Sequence, residues 1–265
     1  VKKKRNFYFR TESGNETVEV YVGQSSGKQL GEDILNAKDE VLIISPYIDE
    51  SKLDDLINLK NRNINVILAF SSLREKDKQD EKILKKLIHQ HKKIDNYKKD
   101  QKEKLKNKFF LYSIISISAG TVLFLYGLLQ IKIEAKSIIC IVIAFVLFYA
   151  YHQFTIKKDI ANRIPIYSYN YSKKINFKYL RDFKDSKMFI HSKIYVIDRK
   201  IAYMGSLNFT NNGFTSNFET RIRITQKNKI EELVKFMHSI FEDDINFKSH
   251  EIWYLGKKAY TEEKY

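Results

Sequence analysis

The residues best suited to chemistry lie between Met188 and Glu219. The run Met188–Asp198 reads MFIHSKIYVID, apolar enough for a strand. Side chains on a strand alternate between faces, so His191 and Lys193 project to one side and Tyr195 and Ile197 continue it. Ile190, Ile194 and Val196 face the other way. An imidazole beside an ammonium on a rigid element suits a phosphate: the ammonium neutralises phosphoryl oxygens while the neutral imidazole attacks phosphorus. Asp198-Arg199-Lys200 reads as a hairpin turn, and the returning strand Ile201–Met204 delivers Gly205-Ser206-Leu207-Asn208. Gly205 permits close backbone approach, and Asn208 offers a neutral donor to a phosphoryl oxygen. Farther on, Asn217-Phe218-Glu219 opens the strand Arg221–Ile224 and presents a carboxylate.

Each of these residues also has a plainer reading. Alternation sets Asp198 off the His191/Lys193 face, at a turn where Asp commonly caps backbone N–H groups, so its role is structural. Ser206 either contacts phosphate or shapes its turn. His89 and His91 lie in a Lys-rich stretch and read as solvated, and His152 reads as interfacial. The single cysteine, Cys140, excludes an intrachain disulfide and a cysteine metal cluster. No cofactor and no metal site are expected. Phe177, Tyr179, Phe189, Tyr195, Phe209, Phe214 and Phe218 could stack bases, although most are expected in the core.

The elements that must position these groups read as α/β. Val18–Val22 alternates like a strand, and Leu30–Ala37 is a short helix leading into the apolar strand Val41–Ile48. Ser51–Leu59 reads as a helix with Ser51 as its cap, followed by the strand Ile64–Phe70. Strand, helix and strand at this spacing predict a βαβ unit and a largely parallel sheet flanked by helices. Glu75–Lys108 reads as one long charged helix, a basic stalk with a partial apolar stripe through Ile83, Leu84, Leu87, Ile88 and Ile94. Ile175–Leu180 is a further strand and Ile230–Phe241 an amphipathic helix. Residues 1–72 and 172–265 are thus two halves of one domain. A stalk (73–108), an apolar hairpin (109–154) and a connector (155–171) interrupt it.

The hairpin rests on two uncharged runs. Phe109–Gln130 is 22 residues long, which at 1.5 Å per residue is roughly 33 Å, enough for a hydrocarbon core. Ser137–Phe154 is the second, after a short link. Lys98, Lys99, Lys102, Lys104, Lys106 and Lys108 precede the first run, and Lys157, Lys158 and Arg163 follow the second. The link holds only Lys132 and Lys136 beside Glu134. The positive-inside rule then places both termini and the catalytic domain in the cytoplasm, in a protein with two transmembrane helices. Val1–Arg10 is basic but runs into polar residues, so it does not read as a secretory signal. The net charge is +15, from 47 Lys and Arg against 32 Asp and Glu, which points to nucleic acid or anionic lipid as partner. Solvated lysines are the plainer account of the same surplus.

The pattern H-x-K, four residues, D, then G-S-x-N resembles the signature of the phospholipase D superfamily. It stands here as His191, Lys193, Asp198, Gly205, Ser206 and Asn208, with a family-like acid at Glu219. The resemblance covers roughly residues 17–72 and 172–245 and leaves out the hairpin and its stalk. It implies a metal-independent, two-step phosphodiesterase in which His191 becomes a phosphohistidine. Lys193, Ser206 and Asn208 would hold the phosphoryl oxygens, and Glu219 would fix the His191 tautomer. Only one motif is visible, so the resemblance implies a homodimer that completes the site. Its substrate would be nucleic acid or, alternatively, phospholipid; a scaffold that has kept the fold without catalysis is the third reading. Anionic lipids would meet the basic flanks of the hairpin.

Overall fold

In the computed structural model, residues 7–14, 16–73, 77–129, 135–180 and 190–265 are described. Residues 131–134 of the expected link, Glu75 and Lys76 of the expected stalk, and Met188 and Phe189 at the start of the expected catalytic strand lie outside them. The chain divides into two compact units. The first is residues 1–91 with 170–261, and the second is residues 92–169 with 262–265.

The first unit opens with β1 (Phe7–Ser13), β2 (Glu16–Gln24) and α1 (Lys28–Leu35). Next come β3 (Glu40–Ile44), β4 (Tyr47–Ile48), α2 (Glu50–Asn61), β5 (Asn65–Phe70), β6 (Ser72–Leu73) and α3 (Asp77–Leu87). The chain then runs through β7 (Ile88–Ile94), α4 (Asn96–Leu129), α5 (Ala135–Asn162) and β8 (Tyr167–Lys173). It completes the first unit with β9 (Asn176–Tyr179), β10 (Ile194–Ile197), β11 (Ile201–Gly205), α6 (Asn211–Thr215), β12 (Phe218–Ile224), α7 (Lys227–Glu242) and α8 (Ile252–Ala259).

Eight strands form one sheet in the order β1-β2-β12-β11-β10-β3-β5-β9. The class is mixed α/β, as expected, but the balance of directions is reversed. Only β3–β5 and β5–β9 are parallel; the other five pairings are antiparallel. The expected βαβ unit is β3-α2-β5, whose strands are nearly all apolar because both faces are covered. Among the antiparallel pairs, β10 and β11 are joined by the tight turn Asp198–Lys200, and a turn of that length joins only antiparallel neighbours, whereas β10–β3 and β12–β2 pair segments far apart in the chain.

Period-2 alternation divides the core. Val41, Ile43, Val66, Leu68, Tyr195 and Tyr203 face the cluster built with α1, α2 and α3. Leu42, Ile44, Ala69, Ile190, Ile194 and Val196 face Ile230, Val234 and Met237 of α7. The C-terminus of α7 is closed by buried Lys178, whose Nζ donates to the carbonyls of Ile240, Phe241 and Asp243.

Two local readings are corrected. The cap of α2 is Asp49, which accepts from the Lys52 amide at 3.1 Å, while Ser51 donates to the same carboxylate. The continuous stalk helix is broken by β7. Ile83, Leu84, Leu87 and Ile88 are buried in the core, and the Leu87 carbonyl accepts from the Lys174 amide at 2.8 Å instead of continuing the helix. Past that point β7 pairs with β8.

In the second unit, α4 and α5 pack together through small residues. Ser113, Ser116, Gly120 and Gly127 of α4 and Ser137 and Ala144 of α5 are buried. A Cβ on Gly120 would lie 2.9 Å from the Phe148 ring, and one on Gly127 2.7 Å from Ile141. The large apolar side chains, among them Val122, Leu125, Leu129, Val142, Phe145 and Val146, point outward. Small residues inside and large apolar ones outside are the arrangement of helices in lipid. Both helices are long and apolar enough to cross a membrane, and only 17% and 6% of their apolar stretches are buried.

The halves of the first unit are joined at β2–β12, β3–β10 and β5–β9, and the middle junction is closed by a hairpin turn. Asp198 and Arg199 both have positive φ (51° and 50°), as primed hairpin turns require. Oδ1 of Asp198 accepts from the amides of Lys38, Asp39 and Glu40 at 3.1, 2.8 and 3.0 Å. Its own amide donates to the Glu40 carbonyl at 2.8 Å, and Arg199 pairs with the Glu40 carboxylate at 3.0 Å. Partial burial pushes the Asp198 carboxyl up, but the three amides and Lys200 outweigh it, so it is held below the usual carboxylate range. Asp198→Asn keeps a residue that tolerates positive φ and removes only the charge. It should cost about 1–2 kcal/mol, the difference between charged and neutral hydrogen bonds, read as a lower Tm near neutral pH. Because the folded pKa is depressed, this contribution is complete above the unfolded value, about 3.9, and disappears as pH falls through the folded one. The Tm gap between wild type and variant should therefore close in acid.

Candidate active site

The groups singled out around His191 come together on β10–β12 and the loops beside them. Strand β10 starts at Ile194, so His191 and Lys193 lie on the extended segment that feeds it. This segment is tied down from the first half of the unit: Ser71 Oγ donates to the Ile190 carbonyl at 3.0 Å. Lys193 is buried and His191 is exposed. The Lys193 ammonium donates to the His191 carbonyl at 2.7 Å and lies 3.3 Å from His191 Nδ1. An ammonium can only donate, so in this arrangement Nδ1 is the acceptor. Burial pushes the Lys193 ammonium below its ordinary value, and the Glu219 carboxylate pulls it back up.

Gly205 is demanded by its backbone. Its φ is +155°, and an added Cβ would lie 2.0 Å from the Thr220 carbonyl oxygen. That closeness brings Ser206 against β12. The Ser206 hydroxyl donates to Glu219 Oε2 and accepts from the Thr220 amide at 3.0 Å, while the Ser206 amide donates to the Thr220 carbonyl. The Ser206 hydroxyl is thus engaged with Glu219 and with the backbone of β12. Asn217 Nδ2 donates to Glu219 Oε1 at 3.0 Å, so both carboxylate oxygens are held. Asn208 lies beyond Leu207, whose carbonyl accepts from the buried Tyr195 hydroxyl at 2.7 Å. Among the described residues, the Asn208 side-chain oxygen is buried without a hydrogen-bond partner. Asp198 sits at the far end of β10, at the junction with residues 38–40.

Three supporting residues carried no signal in the sequence. In the sequence Asn217 marks only the start of a strand. Ser45, which accepts from the Phe209 amide at 2.9 Å, and Ser71 come from strand ends more than a hundred positions away. Of the aromatics, Phe177, Tyr195, Phe209 and Phe214 are core residues, while Phe218 is 60% exposed; Phe189 lies outside the described residues.

Residues 148–245 match the family described as cardiolipin synthase, PLD-like domain. This span contains His191, Lys193, Gly205, Ser206, Asn208 and Glu219. Among solved structures the chain is similar to Nuc, a phospholipase D family member from Salmonella typhimurium, with 13% identity and a TM-score of 0.40 over 88% of this chain and 98% of that one. It is also similar to NucT from Helicobacter pylori, with 12% identity and a TM-score of 0.42 over 88% and 100% of the two chains. Phosphatidylserine synthase from Haemophilus influenzae Rd KW20 shows 11% identity and a TM-score of 0.40 over 84% and 38%. No curated protein matches the chain.

The burial of Lys193 separates its chemistry from its stability. A buried ammonium with a depressed pKa is a net cost to the folded state below that pKa. Lys193→Met, which removes the group that faces His191, should leave Tm unchanged or slightly raised in a thermal melt.

Proposed function

We propose that this chain, whose residues 148–245 match a PLD-like domain, is a membrane-anchored, metal-independent phosphodiesterase, and specifically a nuclease. The observation that carries the phosphodiesterase reading is the constellation itself: a buried Lys193 ammonium beside an exposed His191 imidazole, with a doubly held Glu219 carboxylate nearby. In the free protein Lys193 engages Nδ1 of His191. An arriving phosphodiester draws the ammonium onto its non-bridging oxygens and leaves the imidazole to act as nucleophile. A His191 nitrogen then forms a bond to phosphorus as the bond from phosphorus to the leaving oxygen breaks. That oxygen takes a proton from a second imidazole. Water then gives its proton to the same imidazole, attacks phosphorus and releases His191. Glu219 orients His191, and Asn208 supplies an amide to a phosphoryl oxygen.

The second imidazole is His191 of another copy, in a homodimer whose two-fold axis passes between the sites. The surplus of basic residues favours a phosphate-backbone substrate. The helices α4 and α5 anchor the enzyme, with the lysines in the first turns of α4 and the last turns of α5 holding both termini on the cytoplasmic side and against anionic headgroups. Those same helices favour a second reading, in which the substrate is a membrane phospholipid.

Detergent-purified protein incubated with EDTA and labelled single-stranded DNA, duplex DNA, RNA or phospholipid separates these readings. The account expects cleavage of a nucleic acid, reduced about 10²–10⁴-fold in His191→Ala. Headgroup release alone would give the lipid reading first place, and cleavage undiminished in the variant would remove His191 from the mechanism.

A further inference from the structure

Helix α8 is docked by one face and displays another. Leu255, Gly256 and Ala259 are buried, and a Cβ on Gly256 would lie 2.3 Å from the Tyr171 ring. The hydroxyl of Tyr260, just past the helix, donates to the Ile88 carbonyl at 2.9 Å. These contacts fix the helix, so what its other side shows is a property of the fold. Residues spaced at i, i+1, i+4 and i+5 share one side of a helix, and here they are Trp253, Tyr254, Lys257 and Lys258. Trp253 is 56% and Tyr254 48% exposed, and both lysines are exposed. The Lys257 ammonium lies 5.4 Å from the Trp253 ring centre, and the two rings meet edge to face at 6.3 Å. In the approach to the helix, Ile245 is 71% exposed and Lys248 is exposed. Glu251, at the first end of the helix, is the one acid between Ile245 and Tyr260.

Tryptophan is highly buried on average, yet the chain's single tryptophan stands in the open on a rigid helix. Indole and phenol rings settle at the headgroup level of bilayers, where lysine stems lie along apolar surface and their ammonium groups reach the phosphates. On this face the ammonium groups of Lys257 and Lys258 complement anionic lipid phosphates. We propose that this face of α8 is a lipid-contact surface for an anionic bilayer. Trp253 and Tyr254 enter the headgroup layer, and Lys257 and Lys258 reach lipid phosphates. The inference rests on the anchoring reading, since α4 and α5 supply the bilayer.

Trp253 is its own reporter. The full chain is reconstituted into vesicles of phosphatidylcholine alone or mixed with phosphatidylglycerol, and insertion is established first by flotation and resistance to carbonate extraction. A chain that fails there contradicts the anchoring reading. For an inserted chain, the expected result is blue-shifted Trp253 emission, quenching by brominated lipid and lost iodide quenching in anionic vesicles relative to neutral ones. Lys257→Glu/Lys258→Glu should reverse most of that difference. Equal accessibility of Trp253 in the two bilayers would overturn the proposal. So would protection conferred by a single-stranded oligonucleotide but not by lipid.

Discussion

Everything about the site depends on two stretches of chain, separated by the hairpin, meeting in register along β3 and β10. Ile194 opposes Ile44 and Ile197 opposes Val41, and the Asp198 carboxylate closes this ladder on the amides of residues 38–40. A one-residue slip would exchange the two core faces and turn Lys193 from one side of the sheet to the other. A carboxylate gripped by three amides is a strong local device against such a slip, because no other register supplies the same donors. The residue that looks catalytic in the motif therefore works at the opposite end of the strand from the chemistry.

A second constraint is the close approach of β11 and β12. Gly205 admits the Thr220 carbonyl where any side chain would exclude it. Ser206 and Asn217 then fix Glu219 from both sides. The carboxylate, the buried ammonium and the imidazole are thus set by backbone geometry in three neighbouring segments, so each is held before any substrate arrives.

The candidate site is legible in the sequence because His191, Lys193, Ser206 and Glu219 lie close together along the chain around one hairpin, where period-2 alternation sorts side chains onto faces. Tyr195 and Ile197 do face one core cluster, and Ile190, Ile194 and Val196 the other. What could not be read depends on contacts across long stretches of chain. Strand β2 pairs with β12 some two hundred residues away, so the antiparallel majority of the sheet left no local mark. The exposed β1 has no buried face to reveal it. Ile83, Leu84, Leu87 and Ile88 fit a helical period as far as the residue where β7 begins, and the partner that makes β7 a strand is β8, far along the chain. By contrast, α4 and α5 announced themselves through length and apolarity, which need no partner to be seen.

The central claim is that His191 carries the phosphoryl group during turnover. It is tested most directly by acid-free quenching of the enzyme with a cleavable phosphodiester, followed by peptide mass spectrometry. The account predicts a transient phosphoryl adduct on the peptide containing His191, acid-labile and absent before substrate is added. Steady cleavage with no adduct, or with the adduct on another residue, would contradict it.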